Sequence, residues 1–272
     1  DLFTILVLDM GVAGAGWATI TAQAVSGLLC LFYMKKKYTI LKMNEDEWKP
    51  DRHYMKILCN MGIPMGLQYS ITAIGSVVLQ TAVNSLGSMA VAAVTAGSKI
   101  SMFFCCPFDA LGSTMATYGG QNVGARKLDR IDQGLKAGSM IGCVYAVIAF
   151  GVLFFFGDLI ALMFVDPGET EILRNTKWFL IANSVFYIPL LYVNTVRFMI
   201  QGLGFSRLAI LAGVCEMAAR TFVGFCLVPV FGYMAVCIAN PVAWIAADLF
   251  LLPAYRYVMR NLKHLFYGNG ES

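Results

Sequence analysis

Seven stretches of this sequence are each long and apolar enough to cross a lipid bilayer, and they take up most of the chain. They run over residues 12–34, 55–82, 90–119, 135–156, 177–201, 207–229 and 234–258. A helix needs roughly 20 mostly apolar residues to cover a hydrocarbon core about 30 Å thick. Residues 1–9, led by Asp1, read as the last turns of an eighth span. Across the 272 residues, 58% are hydrophobic and 13% charged, against about 25% charged in a soluble domain. Seven such stretches cannot all be buried in a soluble core of this size. The expected fold class is therefore all-α, a polytopic transmembrane helical bundle.

The charged residues are bunched between the spans, and their signs alternate. Lys35, Lys36, Lys37, Lys42, Lys49, Arg52 and Lys56 fill 35–56, whereas 83–89 has no basic residue. Arg126, Lys127, Arg130 and Lys136 fill 120–136. In 157–176, Arg174 is outnumbered by Asp158, Asp166, Glu169 and Glu171. Arg207 follows the next span, 230–233 is uncharged, and the tail carries Arg256, Arg260 and Lys263. Basic loops mark the cytoplasmic side. This places 35–56, 120–136, 202–206 and the C-terminus there, and the alternation checks the span count independently. The eight cysteines form no CxxC pair, so they predict packing residues rather than a zinc site or disulfide framework.

An internal repeat is weaker but has consequences. The segment beginning at Gly11 resembles the one beginning at Gly232. Each has a glycine-led turn, then a span, then basic residues, with Gly11/Gly232 and Ala18/Ala239 identical. At that offset the second unit holds six spans, and a matching first unit extends upstream of Asp1. The expectation is a fragment of a twelve-span chain of two six-span bundles, with Asp1 inside the fifth span. Its parts are 1–34, the end of the first lobe; 35–54, a cytoplasmic inter-lobe loop; 55–258, the second six-helix lobe; and 259–272, a cytoplasmic tail. Paired bundles of this kind suit a transporter that rocks one half against the other.

Four motifs support a family resemblance: "GIPMGLQ" at 62–68, "MATYGGQNVGARKLDRI" at 115–131, "QGLGFSRLAI" at 201–210 and "PVFGYMAVCIANPVAWIAA" at 229–247. "GQNVGARK" is the most specific, being close to the pattern G-Q-N-x-G-A. The chain resembles the multidrug and toxin extrusion (MATE) antiporters, over their second bundle and sixth span. The resemblance implies twelve helices in two lobes about a central cavity. It also implies exchange of cationic or amphipathic drugs for Na⁺ or H⁺ in a cytoplasmic membrane. The implied partners are small-molecule drugs or organic cations, membrane lipid and the missing first lobe. Neither enzymatic catalysis, a cofactor beyond the coupling ion, nor a nucleic-acid partner is implied.

The resemblance also suggests roles. In many members an Asp in the fifth span is followed eighteen residues later by a Thr, and Asp1 and Thr19 have that spacing. Their oxygens suit Na⁺, and the carboxylate can take a proton instead. Leu2 stands where the pattern has Pro. Positions that are acidic in the seventh and tenth spans of some members fall near Thr72 and Leu190 here, which moves the expected coupling toward the first lobe.

The residues themselves nominate further candidates, because an ionisable group at membrane depth costs roughly 2.5–3.5 kcal/mol on insertion scales. Glu216 and Arg220 share a helix face at i, i+4, as a structural ion pair or a proton-linked one. Asp248 could complete their network. Asp109 follows Pro107, whose ring leaves the carbonyl four residues earlier without its helical donor. Gln68, Tyr69, Asn84, Met102, Phe103, Tyr187, Tyr192 and Asn194 are candidate substrate-lining residues, each alternatively a packing residue. Gly134, Gly138, Gly142 and Ala146 form a stripe that predicts close helix packing. "GAGWAT" contains G-x-G without a third glycine or a βαβ unit, so no nucleotide site is read there.

Three other readings compete. Lipid-linked or sugar-lipid flipping, as in sister families, would favour a strongly cationic cavity, and Lys99, Arg197 and Arg220 are few for that. A seven-helix receptor would fit seven spans but neither the repeat nor the segment 1–9. The third is a non-transporting partner subunit.

Overall fold

The computed structural model describes residues 11–38 and 49–268, and among these there is no strand. The chain divides into two compact units, one ending at Lys56 and the other beginning at Ile57. In the first, α1 (Gly11–Lys37) is an apolar helix with Lys35, Lys36 and Lys37 in its last turn. Cations there suit the partial negative charge of the helix C-terminus.

The second unit is a bundle of long helices: α2 (Arg52–Asn84) from Ile57 onward, α3 (Ser88–Gly124), α4 (Leu128–Ala161), α5 (Thr170–Val185), α6 (Tyr187–Gly202), α7 (Ser206–Phe222), a short α8 (Val228–Phe231) and α9 (Tyr233–Tyr267). Among the described residues, six helical segments are long and apolar enough to cross a membrane, and the α5–α6 pair makes a seventh if counted as one span. Each of the seven full spans expected thus has a helical counterpart, while residues 1–9 lie outside the described residues. Several helices run past the apolar stretch by one or more turns, as α9 does from 258 to Tyr267.

The fifth expected span, 177–201, differs from expectation: it is two helices bent by 54°. Pro189 is the cause nearest in sequence. It has no N–H to give the carbonyl of Val185, and it is tolerated because it lies in the first turn of α6. A second irregularity follows α7, where Val223–Leu227 forms a π-helical turn before Pro229 in α8. Pro229 withholds a donor in the same way, and a widened turn accommodates the loss. Inside α3, Pro107 leaves the helix continuous. The nearby Phe104 carbonyl accepts a hydrogen bond from the Tyr145 hydroxyl of α4 at 2.9 Å.

The centre of the bundle is α6, which packs against α3, α4, α7 and α9. Contact with α3 is close because glycines line it. A Cβ on Gly202 would lie 2.2 Å from the Ala116 carbonyl oxygen, and one on Gly119 would lie 2.6 Å from Met199 Sδ. The stripe on α4 does what its spacing predicts. A Cβ on Gly134 would meet the Tyr118 ring at 2.2 Å, and one on Gly142 would meet Leu191 Cδ1 at 2.2 Å. The larger apolar core includes Ile100, Phe108, Leu153, Tyr187, Leu191 and Leu251. A smaller one gathers Val83, Val94, Phe179, Val223 and Val236. All eight cysteines are free, and Cys237 alone among them is fully buried. The packing expectation therefore holds for Cys237 and only partly for the others, several of which point outward from apolar helices.

A polar tie links α5 to α9 within the smaller core. The Asn183 amide donates to the carbonyls of Phe179 (2.7 Å) and Cys237 (3.4 Å), and its oxygen accepts from Asn240 at 3.2 Å. Asn183→Ala leaves the Cys237 carbonyl and the Asn240 amide short of a partner. It is expected to cost about 2 kcal/mol, read as a fall of roughly 5 °C in the Tm of the full-length protein in detergent.

Candidate functional site

The strongest concentration of charge inside the bundle surrounds Arg197, which the apolar sequence of α6 carries into the interior. Arg197, Glu216 and Arg220 are all buried. Arg197 forms an ion pair with Glu216 of α7. Arg220, one turn along α7, holds the other Glu216 oxygen at 3.6 Å, and its Nη1 donates to the Thr72 carbonyl of α2 at 3.5 Å. Next to them the buried Gln201 amide of α6 donates to Gln68 Oε1 of α2 at 2.7 Å.

Two further carboxylates face this cluster. Asp109 of α3 and Asp248 of α9 both act electrostatically on Arg197, and Asn194 of α6 flanks Asp109. Asp248 is half-buried, and its Oδ1 has no hydrogen-bond partner among the described residues. Asp109 is more open. Three ionisable side chains of α6 and α7, Arg197, Glu216 and Arg220, thus meet inside the bundle, with the carboxylates Asp109 of α3 and Asp248 of α9 beyond ion-pair distance but within electrostatic range of Arg197. Isolated charges in such a medium cost several kcal/mol each, which pairing only partly offsets.

The structure pairs the sequence candidates Glu216 and Arg220 in this cluster and sets Asp109 and Asp248 within electrostatic range of Arg197. Gln68 and Asn194 also lie against it, and Tyr69 acts electrostatically on Arg197. Thr72 accepts a hydrogen bond from Arg220 through its carbonyl. Other candidates lie apart. Met102 and Phe103 are exposed on α3, and Lys99 is exposed on the same helix. Tyr187 is fully buried, edge-on to Phe108 at 5.5 Å between centroids, and Tyr192 packs against the same core. Asn84 accepts a hydrogen bond from Gln80 at 3.0 Å near the end of α2. Thr19 is exposed on α1 and donates to the Ala15 carbonyl at 2.9 Å. Asp1 lies outside the described residues. Among the described residues, no three His, Cys, Asp or Glu side chains are grouped as a metal site.

Sequence reasoning noted Arg197 only as an embedded cation and gave Glu216 a single partner within its own helix. The available signal was a lone arginine in "YVNTVRFMIQG". Such a cation must find an acid on another helix.

Known proteins share this arrangement of helices. The MatE family model matches residues 64–226, more than half of the chain. A probable multidrug resistance protein of Bacillus subtilis (strain 168), YoeA, is 22% identical over 65% of the chain and 41% of its own length. Another from that organism, YpnP, is 26% identical over 71% and 42%. The multidrug export protein MepA of Staphylococcus haemolyticus (strain JCSC1435) is 24% identical over 78% and 47%. The chain spans less than half the length of these relatives. Among solved structures, a multidrug resistance MATE family transporter in its outward-facing conformation superposes with a TM-score of 0.86 at 20% identity, over 97% of this chain and 59% of its own. A MOP superfamily transporter from Pyrococcus furiosus Vc1 gives 0.83 at 17%, with the same two coverages. With the family model covering most of the bundle and the fold that of MATE transporters, this multi-pass membrane chain belongs to the MatE family.

Proposed function

We propose that the chain is part of a secondary active multidrug efflux antiporter of a cytoplasmic membrane, exchanging cationic or amphipathic drugs for H⁺ or Na⁺. The described helices from α2 to α9 form its second lobe, and α1 closes the first. The observation that carries this reading is the buried Arg197–Glu216–Arg220 cluster with two further carboxylates, Asp109 and Asp248, within electrostatic range of Arg197. Asp248, half-buried and with its Oδ1 unpartnered among the described residues, takes up a cation when the site closes and releases it when the site opens. Of the two ions, H⁺ is favoured: a single carboxylate such as Asp248 can take up a proton, whereas Na⁺ needs several oxygens, and among the described residues no three acids are grouped,. Asp1 and Thr19 remain the proposed cation ligands of the first lobe.

The test is ethidium efflux from cells expressing the full-length gene, with imposed proton or sodium gradients. Asp248→Asn and Asp109→Asn are each expected to lower gradient-driven efflux at least tenfold, at unchanged protein levels. Wild-type efflux in both variants would remove the cluster from coupling. An effect confined to Asp1→Asn would place coupling in the first lobe alone.

A further inference from the structure

A second charged site lies at the opposite end of α9 from Gly232, on the side that the basic loops assign to the cytoplasm. It is a cavity of about 900 Å³ between the start of α4 and the last turns of α9. Arg256, Arg260, Lys263 and His264 line it from α9, and Asp129 and Asp132 from α4. The Tyr255 hydroxyl donates to Asp132 at 2.7 Å, which engages that carboxylate within the wall. Three fixed positive charges therefore face two carboxylates, one of them already hydrogen-bonded.

The walls are tied together. The Tyr267 hydroxyl of α9 donates to the Arg126 carbonyl at 3.1 Å, and the Arg126 guanidinium lies over the Phe266 ring at 5.8 Å. Arg126 has a φ of 56°, rare for a residue with a side chain,. The loop between α3 and α4 is thereby joined to the end of α9, bringing Arg126 and its neighbour Lys127 close to the cavity.

The chemistry follows from the register of α9. Leu249, Leu252, Arg256, Arg260 and Lys263 succeed one another at intervals of three or four residues, so they occupy one face of the helix,. Leu249 is 74% exposed and Leu252 is 43% exposed. One continuous face is thus apolar toward the membrane interior and basic toward the cytoplasm. A soluble anion would use only the basic half. A molecule with a phosphate head and hydrocarbon tails uses both.

The geometry points to a binding site for an anionic phospholipid of the cytoplasmic leaflet. Its phosphate sits among Arg256, Arg260 and Lys263, and an acyl chain lies along Leu252 and Leu249. Basic pockets between transmembrane helices on the cytoplasmic side are suited to such headgroups. This site is separate from the Arg197 cluster, and its test needs no transport.

The test is native mass spectrometry of the full-length protein released from nanodiscs of equal phosphatidylglycerol and phosphatidylcholine. Wild type is expected to retain phosphatidylglycerol about tenfold over phosphatidylcholine. Arg256→Gln with Arg260→Gln is expected to abolish that preference, at about fivefold per charge removed, whereas Arg207→Gln, outside the cavity, preserves it. Asp129→Asn is expected to strengthen retention, and it keeps the test open if the double variant does not fold. Equal retention of the two lipids by wild type overturns the proposal, as does an unaltered preference in Asp129→Asn or in a folded double variant. Displacement of the lipid by an equal concentration of glycerol 3-phosphate would assign the cavity to a soluble phosphate and overturn the lipid reading.

Discussion

Glu216→Ala is expected to destabilise the full-length protein by about 3–5 kcal/mol, the usual cost of removing one partner from a buried ion pair. Glu216 is the contact shared by Arg197 and Arg220. Without it, two guanidiniums from adjacent helices are left in a low-dielectric interior, and the remaining carboxylates, Asp109 and Asp248, reach Arg197 from other helices. Thermal unfolding in detergent is expected to show a fall of roughly 10 °C or more. Glu216→Gln keeps the shape and the hydrogen-bonding capacity but not the charge, so most of the loss should persist. Glu216→Leu combined with Arg197→Met should recover part of it, since it removes a charge of each sign. A Tm within 2 °C of wild type for Glu216→Ala would mean that the pair holds nothing together.

The second large effect is expected at a residue without a side chain. Gly202→Ala places a Cβ 2.2 Å from the Ala116 oxygen, 2.7 Å from its Cα and 2.8 Å from its carbonyl carbon. All three are backbone atoms of α3, so no rotamer change relieves the overlap and the helices must separate. Overpacking that moves backbone costs about 3 kcal/mol or more. Gly142→Ala makes an equally short contact, but with the tip of Leu191. That methyl group can swing aside, so about 1 kcal/mol is expected. Comparing the folded yields and Tm values of the two variants checks the distinction. Equal behaviour would show that the α3–α6 contact tolerates expansion.

The fold was readable in the sequence to the extent that hydrocarbon dictates it. Apolar runs bounded by alternating charge located every span, and the four-residue spacing of Gly134, Gly138 and Gly142 identified a packing seam. The break at Phe186 was not read. Pro189 was in view, but a proline near a helix start and one inside a helix look alike until the boundary is known. The Glu216–Arg220 pair was legible because both members lie on one helix. The Arg197–Glu216 pair was not, since periodicity describes one helix at a time. Gly202 was equally silent: a single glycine carries no period, and its importance comes from Ala116, more than eighty residues earlier.

The glycine seam has a mechanical consequence for the charges around it. Gly202 brings α6 against the backbone of α3 at Ala116, while Gly112 and Gly119 seat the Phe198 ring and the Met199 side chain of α6 in the surface of α3, so the two helices interlock. Asp109 rides on α3 and Arg197 on α6, one on each helix of this welded pair. Glu216 and Asp248 ride on α7 and α9, outside that welded pair. A displacement of α7 or α9 against that pair would change the distance of Glu216 and Asp248 from Arg197 while leaving that of Asp109 nearly unchanged.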